Sequence, residues 1–94
     1  MLDIKFDGAG RVVLQGRFDA STAEHASNQL DRVSGDCEVD FAGLDYISSA
    51  GLGVLLKTQK RLSGTGHALK LVNLNPHIKD VFYYAGFNAV FEIE

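Results

Sequence analysis

The sequence at residues 40–56 reads DFAGLDYISSAGLGVLL. Its beginning continues the two-residue alternation of residues 37–41, which is typical of a strand with one buried face. We predict a short loop over residues 43–45 and then a helix, with Ser48 and Ser49 at its entrance. Free backbone N–H groups and the positive end of the helix dipole favour an anion at that position. A phosphoserine, which carries about −1.5 to −2 charges, would suit it.

Two glycines follow the serines in the first turns of the predicted helix. Glycine is less favourable than alanine inside a helix by about 1 kcal/mol, so Gly51 and Gly53 are poor choices for a segment that needs only to be helical. A residue without a Cβ atom lets another surface approach the backbone closely. We therefore expect a partner or a neighbouring strand to pack here, with the serines left exposed.

The segments on either side of this stretch complete an α/β pattern. Each strand–helix–strand crossover should return parallel, so the order β-β-α-β-α-β-α-β predicts a mixed β-sheet packed with α-helices in one domain, residues 1–94. The expected elements are strands near residues 2–6 and 11–16, a helix at 21–34, a strand at 37–41, a helix from the serines to 63, a strand at 69–72, a helix at 76–85 and a strand at 90–93.

Helix boundaries are indicated by residues with specific preferences at helix ends. Ser21 and Glu24 have the spacing of a capping box at the start of the first helix, which Gly35 ends. Pro76 suits the first position of the third helix, and Gly86 suits its end.

Some side chains are assigned to the core from the pattern alone. Cys37 alternates with apolar neighbours and is expected to be buried. The apolar amino-terminal half of the second helix should be largely buried as well. Tyr83 and Tyr84 are expected to pack at the edge of the core.

Composition narrows the function classes. The 94 residues are 46% hydrophobic and carry a net charge of −3, which argues against direct nucleic-acid binding. One cysteine permits no internal disulfide, and the spacing of the histidines does not match a metal site. No run approaches the ~18 apolar residues of a membrane span, and no signal peptide is evident, so we expect no membrane insertion and a cytoplasmic location.

The stretch around the serines resembles the signature of STAS domains, especially bacterial anti-sigma factor antagonists. In that family a serine, a small residue and Gly-Leu-Gly open the second helix. The segment GRFD at residues 16–19 is similar to the family's Gly-x-Leu-Asp element, and Asp40 matches an aspartate that the family keeps at the end of its central strand. The resemblance extends over the whole chain.

The resemblance implies a site for phosphorylation and partner binding. Ser49 matches the phosphorylated serine, with Ser48 as the alternative because the family often has aspartate at that position. Ala50 stands where the family often has Ser or Thr. The residues implied in partner binding are Asp19, Ser48, Ser49, Ala50, Gly51 and Gly53.

The implied function is partner switching. The unphosphorylated domain would bind an anti-sigma factor that is also a serine kinase, and a PP2C-type phosphatase would reverse the modification. No cofactor is implied, since ATP belongs to the kinase. The alternatives are a STAS subunit of an ABC-type lipid transport system, which docks on an ATPase, and a scaffold of a stress-sensing complex.

The same residues can also have purely structural roles. A serine at a helix start commonly acts only as an N-cap. Asp19 can end a strand or help to cap the first helix instead of contacting a partner. No Gly-x-Ser-x-Gly elbow and no Walker-type loop occurs, so we expect a binding protein and no enzyme.

Overall fold

The computed structural model describes residues 1–94, and its element order is the one predicted. A single 3₁₀ turn, Phe87–Ala89, precedes the last strand. The elements are β1 (Leu2–Phe6), β2 (Arg11–Phe18), α1 (Ala23–Leu30), β3 (Cys37–Ile47), α2 (Ser49–Ser63), β4 (Leu69–Val72), α3 (Pro76–Tyr84) and β5 (Glu92–Ile93).

The five strands form one sheet in the order β1-β2-β3-β4-β5, in which β1 is antiparallel and the other neighbours are parallel. Consecutive right-handed crossovers along such a sheet place all three helices on the same face. One core lies between that face and the helices, and it includes Cys37 as expected. The opposite face carries polar side chains such as Arg11, Glu38 and Lys70.

The central strand is longer than predicted. Residues 43–45, expected as a loop, belong to β3, which runs to Ile47. They are held by parallel pairing with β2, in which Gln15 lies opposite Gly43 and Gly16 opposite Leu44. Irregularities in that register interrupt the two-residue alternation, so the pattern alone did not reveal the strand.

The first helix is shorter than predicted, and its capping box is absent. The structure places α1 at Ala23–Leu30, with Thr22 as an N-cap that makes no side-chain cap bond. The hydroxyl of Ser21 instead donates to Asp19 at 2.6 Å. A short polar side chain can bond to the loop before a helix as readily as to the helix itself, so the spacing was not decisive.

The second helix buries one side only. Leu55 and Leu62 are fully buried, whereas Leu52 is half-buried and Gly53 is exposed. The prediction of a largely buried amino-terminal half is therefore too broad. The side that faces the sheet begins at Gly51, where an added Cβ would lie 2.9 Å from the carbonyl oxygen of Phe18 and 2.8 Å from Ile47.

The third helix matches its predicted start. The side chain of Asn75 accepts a hydrogen bond from the N–H of Ile78 at 2.8 Å, and Pro76 is the first helical residue. Phe82 anchors the helix in a group of edge-to-face aromatic rings. Tyr83 and Tyr84 do not pack at the core edge, since they are 49% and 91% exposed.

Asp40 lies inside β3 and not at the end of the strand, contrary to the expectation. It stands where β4 ends its pairing with β3. Its carboxylate accepts from the N–H of Ala42 at 2.9 Å, from the amide of Asn73 at 3.1 Å and from Arg11 at 3.1 Å. Burial raises the pKa of this carboxyl, but the three partners together lower the pKa by more than burial raises it. The pKa of Asp40 therefore lies below its ordinary value.

We predict that Gly51→Ala and Gly53→Ala change stability in opposite directions. The Cβ of the first would press on Phe18, so we expect the free energy of unfolding to fall by about 1–2 kcal/mol. The Cβ of the second would meet no atom within 4 Å. Because alanine favours the helix more than glycine does, we expect the free energy of unfolding of Gly53→Ala to rise by about 0.5–1 kcal/mol. Urea denaturation measures both, and equal effects would contradict this packing.

We predict that Asp40→Asn lowers the free energy of unfolding at pH 7 by about 1–2 kcal/mol. Because the pKa of Asp40 is lower in the folded chain, its carboxylate stabilises the fold above the ordinary value of 3.8, and this contribution is lost as the pH falls towards the folded pKa. The difference between variant and wild type should therefore shrink below about pH 4. Denaturation at several pH values tests this, with Asp80→Asn, at an exposed position, as control.

Candidate functional site

The candidate site lies where the carboxyl ends of β2 and β3 meet the first turn of α2. Ser48 is the N-cap of the helix, with extended backbone angles. Its N–H donates to the carbonyl oxygen of Phe18 at 2.9 Å. This bond brings Asp19, the next residue after Phe18, close to the two serines that the sequence singles out.

The structure distinguishes the two serines. Ser49, the first residue of α2, is exposed. The hydroxyl oxygen of Ser48 is buried and has no hydrogen-bond partner. Neither hydroxyl caps the helix, since the N-cap makes no side-chain bond. Ser48 therefore occupies the N-cap position, as the structural interpretation of a serine at a helix start expects, but without a side-chain cap bond, and only Ser49 presents its hydroxyl to another molecule.

The start of α2 is electrostatically open to an anion. The N–H groups of Ser49, Ala50 and Gly51 have no carbonyl acceptor within the helix, because they lie in its first turn. No acidic side chain lies in the first turn, and the basic residues Lys60 and Arg61 lie in the last one. A negative charge at such a helix end is stabilised by about 0.3–1 kcal/mol.

Asp19 is half-buried and engaged in the loop before α1. One carboxylate oxygen accepts from the N–H of Ser21 at 3.0 Å and from its hydroxyl, and the other lies 3.7 Å from Arg17. The hydrogen bond from the Ser21 side chain is the main reason that the pKa of Asp19 is lowered. The loop therefore holds Asp19 as a carboxylate beside the start of α2. Asp19 directly follows β2, as expected of a residue that ends a strand, but it does not cap α1, because its bonds are to Ser21 before the helix.

The small residues of α2 divide between two environments. Gly51 is buried against Phe18 and Ile47, so it faces strands of the same chain and not a partner, and its expected place in a partner surface is corrected accordingly. Gly53 is exposed with open space around it, and Ala50 is half-buried. The bare backbone available to another molecule is therefore that of Gly53.

Sequence reasoning missed a pair of side chains next to this site. The guanidinium of Arg17 lies 4.3 Å from the ring centroid of Tyr46. The two residues are opposite each other in the β2–β3 pairing, on the face without helices. Both belong to segments that the sequence singled out, but their contact depends on a parallel register that local patterns do not reveal.

The concave surfaces of the molecule lie elsewhere. Two adjoining depressions of about 420 and 270 Å³ share Gly10, Arg11, Asp36 and Cys37, at the amino ends of the parallel strands. No cluster of three potential metal ligands occurs, and none of the helices is long and apolar enough to cross a membrane. Ser49 therefore lies on an open surface, which suits contact with another macromolecule more than enclosure of a small ligand.

The sequence is similar to a known domain family and to a named bacterial protein. The family model described as "Mlab, STAS domain" matches residues 3–92. BtrV of Bordetella bronchiseptica, by name an anti-sigma factor antagonist, is 37% identical over 93 residues, which are 95% of this chain and 80% of BtrV.

Solved structures of anti-sigma factor antagonists share the fold. One from Thermotoga maritima has a TM-score of 0.82 at 19% identity and covers 99% of this chain and 85% of that chain. The Bacillus cell fate determinant SpoIIAA in its phosphorylated form has a TM-score of 0.73 at 18% identity and covers 100% and 91%. The match of the family model to nearly the whole sequence, together with this relative and this fold, shows that the chain belongs to the STAS domain family.

Proposed function

We propose that this domain is an anti-sigma factor antagonist whose binding is controlled by phosphorylation of Ser49. The observation that carries the proposal is the contrast between the exposed hydroxyl of Ser49 and the buried hydroxyl of Ser48 at the start of α2. The identity to BtrV supports the assignment. SpoIIAA, which has the same fold, is known in both unphosphorylated and phosphorylated forms, so the architecture accommodates a phosphate.

The proposed cycle involves three other proteins, two of which contact the domain. The unphosphorylated domain binds an anti-sigma factor and so frees a sigma factor for transcription. The anti-sigma factor, acting as a serine kinase, phosphorylates Ser49 and releases the domain, and a PP2C-type phosphatase restores it. In this cycle the domain acts in the cytoplasm without a cofactor, an enzymatic activity, membrane insertion or direct contact with nucleic acid.

The charge of the phosphate acts at the interface and not on the fold. The open helix end favours a negative charge, so phosphorylation should leave the folded domain as stable as before or slightly more stable. A partner surface shaped for a neutral hydroxyl must instead bury that charge, at a cost of several kcal/mol. About 5.5 kcal/mol is enough to change a 99:1 equilibrium into 1:99, so one phosphate can reverse binding.

Two other functions use the same surface. A STAS subunit of an ABC-type lipid transport system would dock the Ser-Ala-Gly-Leu segment, residues 49–52, on an ATPase and would need no phosphorylation. A scaffold of a stress-sensing complex would assemble with homologous domains. Capture from native extract separates the three, since an anti-sigma kinase, an ATPase with a permease, or a large homologous assembly would be recovered.

We predict that Ser49→Asp weakens binding to the anti-sigma factor by at least about tenfold, because it places a negative charge at the interface. Its melting temperature should stay within a few degrees of wild type. Ser49→Ala should bind at least as well as the unphosphorylated domain and accept no phosphate. Calorimetric titration and phosphopeptide mapping measure these outcomes.

Ser48→Ala is the matched control, and it should still be phosphorylated because it removes the buried hydroxyl only. Equal binding by wild type and Ser49→Asp, or a phosphate mapped to Ser48, would contradict the proposal.

We also predict that Gly53→Ala binds the anti-sigma factor more weakly although it stabilises the free domain. Its Cβ occupies open space that the partner would otherwise fill. Gly35→Ala is the control, since its Cβ also meets no atom within 4 Å but lies in the α1–β3 connection. Unchanged binding by Gly53→Ala would remove this residue from the interface.

A further inference from the structure

The two edges of the sheet differ in how they are protected against another strand. β5 has two residues, one of which is Glu92, and Glu94 follows directly. β1, at the other edge, has five residues and pairs with β2 only. Short and charged edge strands resist pairing with another chain, so β5 is protected and β1 is long enough to accept a further strand.

The hydrogen bonds of β1 show which of its backbone groups are free. At its two ends, the N–H of Arg17 donates to the carbonyl oxygen of Met1 at 2.9 Å, and the N–H of Asp7 donates to that of Arg11 at 3.1 Å. In an antiparallel ladder, alternate residues bond to the neighbouring strand, so the odd-numbered residues of β1 face β2. The backbone groups of the even-numbered residues point away from the sheet. These residues are Leu2, Ile4 and Phe6.

The side chains of β1 carry opposite charges two residues apart. Asp3 and Lys5 are exposed on the face without helices. Neither makes an ion pair within the chain. A lone lysine on an edge strand repels a like strand. A strand with one negative and one positive residue at this spacing is instead complementary to an antiparallel copy of itself.

We propose that β1 pairs antiparallel with β1 of a second copy of this chain, about a two-fold axis at Ile4. In this register the two Ile4 residues are opposite each other, and Leu2 lies opposite Phe6 of the second copy. These pairs use the outward-facing N–H and C=O groups, and each pair exchanges both of its hydrogen bonds.

The same register places the charges where they attract. Asp3 lies opposite Lys5 of the second copy, and the two-fold axis repeats the pair. Both are non-hydrogen-bonded positions, at which Cα atoms are only about 4.5 Å apart and side chains contact best. A shift by one residue would lose the hydrogen bonds, because it would place outward-facing groups opposite inward-facing ones.

Apolar burial adds to this pairing on the helix side. Phe6 is 40% exposed and Ile4 is half-buried, so both have surface left to cover. A five-residue strand pair is small, and we expect a dimer that forms at concentrations on the order of 10–500 µM. β2 separates β1 from β3 and α2, so the dimer leaves Ser49 free, and the inference goes beyond the proposed function.

Sedimentation equilibrium over a concentration series tests the dimer with two charge reversals. Asp3→Lys and Lys5→Asp each turn both ion pairs into like-charge pairs, so each should weaken self-association by at least about tenfold. An equimolar mixture of the two variants should associate again, because every charge of one chain then meets its opposite in the other. Asp80→Lys, at an exposed position on α3, is the control and should behave as wild type.

Amide hydrogen exchange provides a second measurement of the register. The N–H of Ile4 should become protected as the protein concentration rises, whereas that of Lys5, already bonded to β2, should be protected throughout. A wild-type chain that stays monomeric up to about 1 mM would overturn the proposal. A dimer that is indifferent to both reversals, or a mixture that fails to associate, would overturn it as well.

Discussion

The close contact between the first turn of α2 and the carboxyl ends of β2 and β3 determines how this domain presents its site. The N–H of Ser48 bonds to Phe18, and Gly51 allows the helix to lie against the same carbonyl oxygen. With this side of the turn held by the strands, the hydroxyl of Ser48 is enclosed and that of Ser49 faces outward. The helix end then offers N–H groups and a hydroxyl to another molecule at little structural cost.

The arrangement of the sheet explains why the candidate site lies on an open surface. All parallel crossovers run in one direction, so the helices share one face and one core. The other face carries the polar contacts of Arg11 and Asp40, which join β2 and β3 and reach Asn73 after β4. Such a small domain has no deep cleft beside Ser49, and the two segments that we propose as contact surfaces, the start of α2 and the edge strand β1, are both accessible at the surface.

Much of the fold was predictable because its signals are local. The signals for alternation in β1 and β2, for the Asn75–Pro76 start of α3 and for the glycines that follow α2 and α3 all lie within a few residues of one another. The end of β3, the extent of α1 and the bonds of Ser21 were predicted wrongly. They depend on pairing with β2 and on a choice between two local hydrogen-bond partners, which residue type alone does not decide.

The amino-acid sequence by itself determined the order of the elements, the family resemblance and the position of two serines at the start of a helix, because periodicity and motif spacing are properties of adjacent residues. Only the tertiary structure decided which serine is exposed, that Gly51 packs inward while Gly53 stays open, and that Arg17 stacks on Tyr46. Those outcomes depend on the parallel register of β2 and β3 and on the packing of α2 against these two strands. Both join residues about 30 positions apart in the chain, beyond the range of any local pattern.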